Sequence, residues 1–383
     1  MTQVQGDWIR SMGAQTVTGL LERAGFTALF VGGCVRNDLL GQPVSDLDLC
    51  TDARPDQVVE LAQAAGIRAV PTGIDHGTVT LVVGGEPFET TTFRRDVRTD
   101  GRHAEVVFAE TVEEDAARRD FTMNALYADA RGQIFDPLGN GMADLEARHV
   151  RFIGDASARL REDYLRALRF FRFHAWYGDA DSGPDAEAVA AIAGNLDGLA
   201  RLSKERVGAE VLKLLAAPDP APAVATMRQA GVLNAILPGA DDRALAPLVH
   251  LEDGRAPDPI RRLAAIAMQA APELRLSKAQ DRKLDLLRKA VNDALSAGAL
   301  GYRFGADAAI DVLLLRAALF EQPLPKDAVK QAEAGATAKF PIAANDLMPE
   351  FSGPELGAKL RALEAEWIAS GFTKDREELL RRS

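Results

Sequence analysis

Apolar Leu29-Phe30-Val31 runs straight into Gly32-Gly33, and the mixed stretch Val35 to Leu40 then stops at Gly41. That pattern predicts a buried strand followed by a short helix. Asp46-Leu47-Asp48-Leu49 alternates polar and apolar, so it reads as a strand. Residues i and i+2 of a strand face the same way, which places Asp46 and Asp48 side by side with Leu47 and Leu49 turned into the core. Further strands are expected at Thr78 to Val83 and Pro87 to Thr92, and a hairpin through Leu126 to Asp136 that turns near Arg131-Gly132. The polar stretch Arg94 to Ala104, which holds Gly101, reads as a mobile loop. From about residue 155 helix follows helix, with proline-rich joints at Pro218 to Pro222, Pro257 to Pro259 and Pro323 to Pro325. No fixed-period repeat interrupts this order.

Bulk properties narrow the picture a little. A chain of 383 residues has room for two or three domains and an ample core. A formal net charge of −11 argues against a generally sticky nucleic-acid binder, although local basic patches decide RNA binding. The two cysteines, Cys34 and Cys50, form no Cys-x-x-Cys, which offers neither a disulfide framework nor a zinc site and fits a reducing cytosol. Met1 to Gly13 has no apolar run of the signal-peptide kind, and no stretch approaches the roughly 20 apolar residues of a membrane span.

Candidate chemistry concentrates near the N-terminus. Two carboxylates on one strand face, Asp46 and Asp48, can hold one or two Mg²⁺ ions, which prefer hard oxygen ligands. Small glycines at a helix start let backbone N–H groups approach a phosphate, so Gly33 and, through charge-assisted bonds, Arg36 are candidates to meet a triphosphate. A phosphate cradle beside a metal-carboxylate pair is the minimum kit for nucleotidyl transfer. Glu89 is the best candidate for a third carboxylate, its plain alternative being an exposed strand residue. Arg119, Asp120 and Asn124 form a compact polar set in an apolar segment, and a helix would bring Asp120 and Asn124 together. Farther on, Asp163 and Arg166 stand i and i+3 on an expected helix, where an acceptor and a donor could present one edge. Cytosine and adenine each show an amino donor beside a ring-nitrogen acceptor; guanine and uracil show the reverse. Arg169 and Arg172 continue the spacing and could hold phosphate or lock Asp163. A salt-bridged solvated face is the plain alternative for this run.

These blocks resemble the class II tRNA nucleotidyltransferases, the CCA-adding enzymes, and their bacterial poly(A) polymerase relatives. The resemblance rests on Leu29 to Arg36, Leu39-Leu40-Gly41, Asp46 to Thr51, Arg118 to Leu126, Glu162 to Phe170, and more weakly on Leu202 to Arg206 with Glu210. One departure is Arg36-Asn37, where the family usually has Arg-Asp; Asp38 is adjacent. The resemblance implies an α+β chain with a polymerase β-type head of mixed sheet (residues 1–150), followed by an all-helical neck (151–216), body (217–322) and tail (323–383). It implies that the Arg119 block contacts sugar and triphosphate, that Asp163 and Arg166 select the base, and that the tail grips tRNA, with Gly353-Pro354 opening a helix there. The expected activity is templateless addition of C, C and A to tRNA from CTP and ATP with Mg²⁺, in the cytosol, with no membrane and no protein partner. Poly(A) polymerase, CC-only or A-only addition stay open beside it, as does, more remotely, a non-catalytic RNA-binding relative.

Overall fold

The computed structural model describes residues 3–100, 103–270, 273–348 and 350–381, and the chain folds as two compact units, Met1–Ile236 and Leu237–Ser383. In the first unit, α1 (Met12–Arg23) is capped by the Ser11 hydroxyl, which accepts from the Ala14 amide at 3.1 Å. It turns Val17, Leu20 and Leu21 inward. Strand β1 (Ala28–Val31) is buried throughout because it lies in the middle of the sheet. At Gly32 the backbone takes φ 74°, a left-handed value that disfavours any β-carbon, and α2 (Gly33–Leu39) begins at once.

Strand β2 (Asp48–Thr51) returns antiparallel to β1. Then come α3 (Pro55–Ala64), β3 (Arg68–Gly73), β4 (Thr78–Val83) and β5 (Glu86–Thr92). The last two strands are joined by Gly84-Gly85, with φ of 61° and 89°, the doubly positive turn that suits the twist of a tight hairpin. Strands β6 (Arg94–Asp100) and β7 (His103–Phe108) pair with each other as a separate ribbon. After α4 (Val112–Ala117) come β8 (Tyr127–Ala128), β9 (Ile134–Phe135) and α5 (Gly141–Glu146). The main sheet runs β3-β4-β5-β2-β1-β8-β9, and β2 with β5 is its parallel pair, so the sheet is mixed. Leu29, Val31, Cys50, Phe93, Ala125 and Tyr127 pack against one face. Helices α6 (Ala156–Glu162), α7 (Leu165–Tyr177), α8 (Ala186–Ala193), α9 (Lys204–Leu215), α10 (Ala221–Gln229) and α11 (Val232–Ile236) complete the unit. Phe121 docks the sheet part on α7, its ring 5.0 Å from that of Phe173 and 5.1 Å from that of Phe152.

The second unit is helical among its described residues: α12 (Leu245–Glu252), α13 (Pro259–Ile266), α14 (Lys278–Asn292), α15 (Ala297–Phe304), α16 (Ala306–Leu319), α17 (Ala328–Thr337), α18 (Gly353–Ala369) and α19 (Arg376–Leu380). Buried Arg261 is paired with Glu252 and Asp311, and buried Arg262 with Glu252. Trp367 of α18 sits in an apolar cluster with Ile342, Leu347, Leu363 and Leu379. No described helix is long and apolar enough to cross a membrane.

Three expectations are corrected and one strand went unread. Strand β2 starts at Asp48, not Asp46, because its ladder to β5 begins at the Asp48–Glu89 register, which leaves Asp46 in the approach segment. β3 went unread: it is a largely exposed edge strand carrying Pro71, which an edge tolerates. The stretch expected as a loop at 94–104 is mostly ribbon, since antiparallel pairing satisfies the backbone whatever the side-chain polarity; Gly101 lies outside the described residues. The helix expected through Asp163 is broken there: Asp163 is extended at φ −153° between α6 and α7, and its carboxylate accepts from the Leu165 amide at 3.0 Å.

Helices α15 and α17 cross where glycine alone fits. A β-carbon at Gly301 would lie 1.9 Å from the Ala332 carbonyl oxygen, and one at Gly335 would lie 2.1 Å from that of Gly298. Gly301→Ala should therefore force the helices apart and destabilise the protein by about 1–3 kcal/mol. Denaturant unfolding of the full chain measures this; an unchanged midpoint would mean the crossing yields freely.

Candidate active site

Asp46, Asp48 and Glu89 line one cleft of about 690 Å³, together with Trp8, Ser11, Leu47 and Glu86. Asp48 and Glu89 come together through the parallel register of β2 and β5, not through sequence proximity. Although Asp48 keeps accessible surface, burial of its surroundings and the neighbouring Glu89 push its pKa up to about 6; Asp46 adds to this and Arg119 opposes it. A carboxylate whose charge is disfavoured by burial and by like-charged neighbours is one that a cation beside it would stabilise.

A second group of predicted residues forms a hydrogen-bonded chain. Arg36 is 6% exposed, with its guanidinium 4.1 Å from the Tyr177 ring centroid. It donates to the Tyr177 hydroxyl at 2.9 Å, to Asn37 Oδ1 at 2.8 Å and to Asn124 Oδ1. The Asn124 amide donates to Asp120 Oδ1 at 2.9 Å, and Arg169 donates to Asp120 Oδ2 at 2.8 and 2.5 Å. Burial alone would raise the Asp120 pKa; Arg169 and the donors from Asn124 and Phe121 outweigh it and hold it near about 2. The segment is a single 3₁₀ turn, Thr122–Asn124, rather than the expected helix, and it still closes the bond between Asp120 and Asn124. Arg169 thus engages Asp120 and not Asp163.

The residues expected to select the base each have another partner. Asp163 accepts from Arg206 at 2.5 Å. Arg166 donates to Glu162 and, at 3.0 Å, to the Arg159 carbonyl. Arg172 is bound to Glu210 at 2.6 Å. Asp163 and Arg166 are half-buried neighbours linked by a backbone bond at 3.0 Å. The departure at Asn37 is also explained. Its amide oxygen takes the Arg36 donors that an aspartate would take, while Asp38 is spent holding the N-terminal segment through the Gln5 and Gly6 amides and the Trp8 indole.

Residues 28–151 match the family model described as the poly A polymerase head domain, and residues 184–243 match the one described as the probable RNA and SrmB-binding site of polymerase A. The mouse mitochondrial CCA tRNA nucleotidyltransferase 1 is 34% identical over 402 residues, covering 96% of this chain and 89% of the mouse protein. The chain belongs to the CCA tRNA nucleotidyltransferase family. The Geobacillus thermodenitrificans CCA-adding enzyme is 42% identical over 221 residues, 57% of this chain and 52% of that enzyme. Among solved structures, the Bacillus stearothermophilus CCA-adding enzyme in complex with CTP aligns at TM-score 0.70 and 27% identity over 96% of each chain. The Thermotoga maritima CCA-adding enzyme complexed with tRNA shares the fold at TM-score 0.70 and 18% identity over 96% of this chain and 93% of that one.

Sequence reasoning missed several groups in this nucleotidyltransferase. Asp115 is fully buried and binds both Arg118 and Arg119, and Tyr127 donates to it at 2.9 Å. Its signal was present: an acid standing i−3 and i−4 to two arginines. Tyr177 had no local signal, since its partner lies 141 residues away, and Arg206, part of the weaker block at Leu202 to Arg206, had none for its pairing with Asp163, 43 residues away.

The donor set fits a divalent cation. Asp46, Asp48 and Glu89 are hard oxygen donors and the cleft is lined by no imidazole or thiol. Among the described residues no group of three or more His, Cys, Asp or Glu side chains is arranged to hold a metal ion. The raised Asp48 pKa has a signed consequence. The folded state binds a proton more tightly than the unfolded chain, so this group's contribution to stability falls as pH rises from about 4 to about 6. In chelator at pH 8, Asp48→Asn should melt no lower than wild type and gain up to about 1 kcal/mol after solvent screening, the gap closing towards pH 5. A variant clearly less stable than wild type at pH 8 would contradict the repulsion described.

Proposed function

We propose that this chain adds C, C and A in turn to the 3′ end of tRNA, without a nucleic-acid template, from CTP and ATP. The observation that carries the reading is the cleft in which Asp46, Asp48 and Glu89 meet, beside the glycine turn Gly32-Gly33 and the cationic Arg119. Asp46 and Asp48 would hold Mg²⁺, with Glu89 the candidate third carboxylate; the ion when bound lowers the pKa of the attacking 3′-hydroxyl and neutralises charge on the phosphoryl group. The amide at Gly33 and the Arg119 guanidinium supply donors for the triphosphate. Asn124 is the group offered to the sugar, held by Asp120, whose own acceptor positions are taken by the Phe121 amide, Asn124 and Arg169, and Arg36 acts mainly from behind, since its donors are directed to Asn124, Asn37 and Tyr177.

Asp163 and Arg166 are the proposed base-reading pair, with Arg169 and Arg172 bracing the same helix against Asp120 and Glu210. Each of the two keeps unspent capacity beyond its protein partner, because a carboxylate can accept about four bonds and a guanidinium can donate five. Residues 1–150 act as the catalytic head, 151–216 as the nucleobase-selecting neck, 217–322 as the body and 323–383 as the tRNA-binding tail. A cytosolic location is supported by the two free, buried thiols Cys34 and Cys50. The mammalian relatives are mitochondrial by name.

Labelled tRNA lacking its terminal C-C-A, incubated with each nucleoside triphosphate singly and then together, separates full addition from CC-only, A-only and poly(A) synthesis. Asp46→Ala or Asp48→Ala should abolish transfer while the protein stays folded, and near-normal turnover by either would remove the metal-site reading. Asp163→Ala should lose discrimination against UTP and GTP by about ten- to a hundredfold, more than it loses activity with CTP. If it rejects UTP and GTP as wild type does, the acceptor–donor edge is not the reader.

A further inference from the structure

We propose that Asp115 is a positioning residue for the incoming nucleotide: it sets the Arg119 guanidinium to serve the polyphosphate and, by gripping Arg118 as well, fixes the stretch of backbone that ties that site to the base-reading segment. The inference rests on the nucleotidyl-transfer reading above and names a residue that reading does not use.

The carboxylate of Asp115 is completely buried, and its oxygens are fully occupied. Oδ1 accepts from Arg118 Nε at 2.8 Å, with Nη2 of the same group also 2.8 Å away. Oδ2 accepts from Arg119 Nη2 at 2.9 Å, from Arg119 Nε at 3.2 Å and from the Tyr127 hydroxyl at 2.9 Å. Burial alone would raise its pKa, but the two arginines and Tyr127 hold it near about 2, so it remains charged at any working pH. With every lone pair engaged inside the protein, Asp115 can neither ligate a metal nor touch substrate.

What it does instead is orient. Asp115 takes the Nε–Nη2 edge of Arg119, which leaves Nη1 on the side of the glycine turn: a β-carbon at Gly32 would sit 3.6 Å from that nitrogen. Arg119 also lies near enough to Asp48 to oppose the rise in its pKa. Fixing an otherwise flexible guanidinium removes the entropy that it would lose on binding a phosphate. The neighbouring backbone carries the coupling. The Arg118 carbonyl accepts from Arg166 at 3.4 Å, and the Ala117 and Arg119 carbonyls accept from Arg159 at 3.1 and 2.7 Å. Arg169 grips Asp120 in the same short segment. Residues 115–120 therefore join the phosphate side of the site to the helix that carries Arg166.

The test uses the full chain and two simple competitors, inorganic tripolyphosphate and cytidine, with binding read by calorimetry as well as by inhibition of CTP incorporation into tRNA lacking C-C-A. Asp115→Asn should raise the KM for CTP and for ATP about tenfold, with kcat changed by less than about threefold, and should weaken tripolyphosphate binding by the same factor while cytidine binds as before. Should Asp115→Asn fail to fold, Tyr127→Phe, which deletes the hydroxyl between Asp115 and Arg119 and leaves the charges paired, should show the same selective loss at about threefold. Unchanged tripolyphosphate binding in the folded variant, or an equal loss for tripolyphosphate and cytidine, overturns the assignment. Failure of wild type to extend tRNA with CTP and ATP would count instead against the functional reading, because tripolyphosphate binding is measured without transfer.

Discussion

The ion pair between Asp120 and Arg169 joins the sheet-bearing part of the first unit to α7, and the remaining geometry hangs from it. Arg169 approaches one carboxylate oxygen with two donors, while the other oxygen accepts from the Phe121 amide and from Asn124. Asn124 in turn orients Arg36, and Arg36 lies against Tyr177 at the far end of α7. The chain of bonds thus leaves the sheet, crosses to α7 and returns, so neither element can shift without breaking a charge-assisted contact. Phe121 adds an apolar version of the same bridge one residue away, against Phe173 and Phe152. Removing one side of such a pair costs more than the pair contributes, because the charge left behind is buried and alone.

Aspartates in this unit divide into two kinds by environment rather than by sequence. Asp115 and Asp120 are enclosed by arginine and amide donors, and their pKa values are driven down to about 2. Burial first, and then the neighbouring Glu89 and Asp46, drive the Asp48 pKa up to about 6. The first kind is finished: its bonding capacity is used within the protein. The second kind is held in tension, which a positive ion beside it would relieve. One fold therefore sets the same side chain in two opposite charge environments.

Much of this was legible in advance. Gly32-Gly33 after an apolar strand and the strands at 78–83 and 87–92 follow from periodicity and turn chemistry, which are local. The partners of the site residues were not local. Asp163 was expected to share a helix edge with Arg166, yet its strongest contact is Arg206, 43 residues on. Arg169 was expected to meet phosphate or Asp163, yet it closes on Asp120, 49 residues back. Sequence spacing specifies which side chains share a face; it is silent on which of several opposite charges will arrive first once the elements dock. The missed edge strand β3 and the ribbon β6–β7 make the same point about backbone, since pairing there does not depend on a buried apolar face.

The glycine pair between β4 and β5 has a bearing on how this sequence can change over time. Phe88, Thr90 and Thr92 point into the core, and Glu89 takes the opposite face opposite Asp48. A strand has only two faces, so its register is all or nothing. Lengthening or shortening Gly84-Gly85 by a single residue would tend to move β5 one step along its neighbours, bring Phe88 or Thr90 beside Asp48 and send the carboxylate inward. Side chains around the cleft can drift by substitution; the length of that turn cannot. It acts as a ruler, and the chemistry at its far end can tolerate many spellings but only one count.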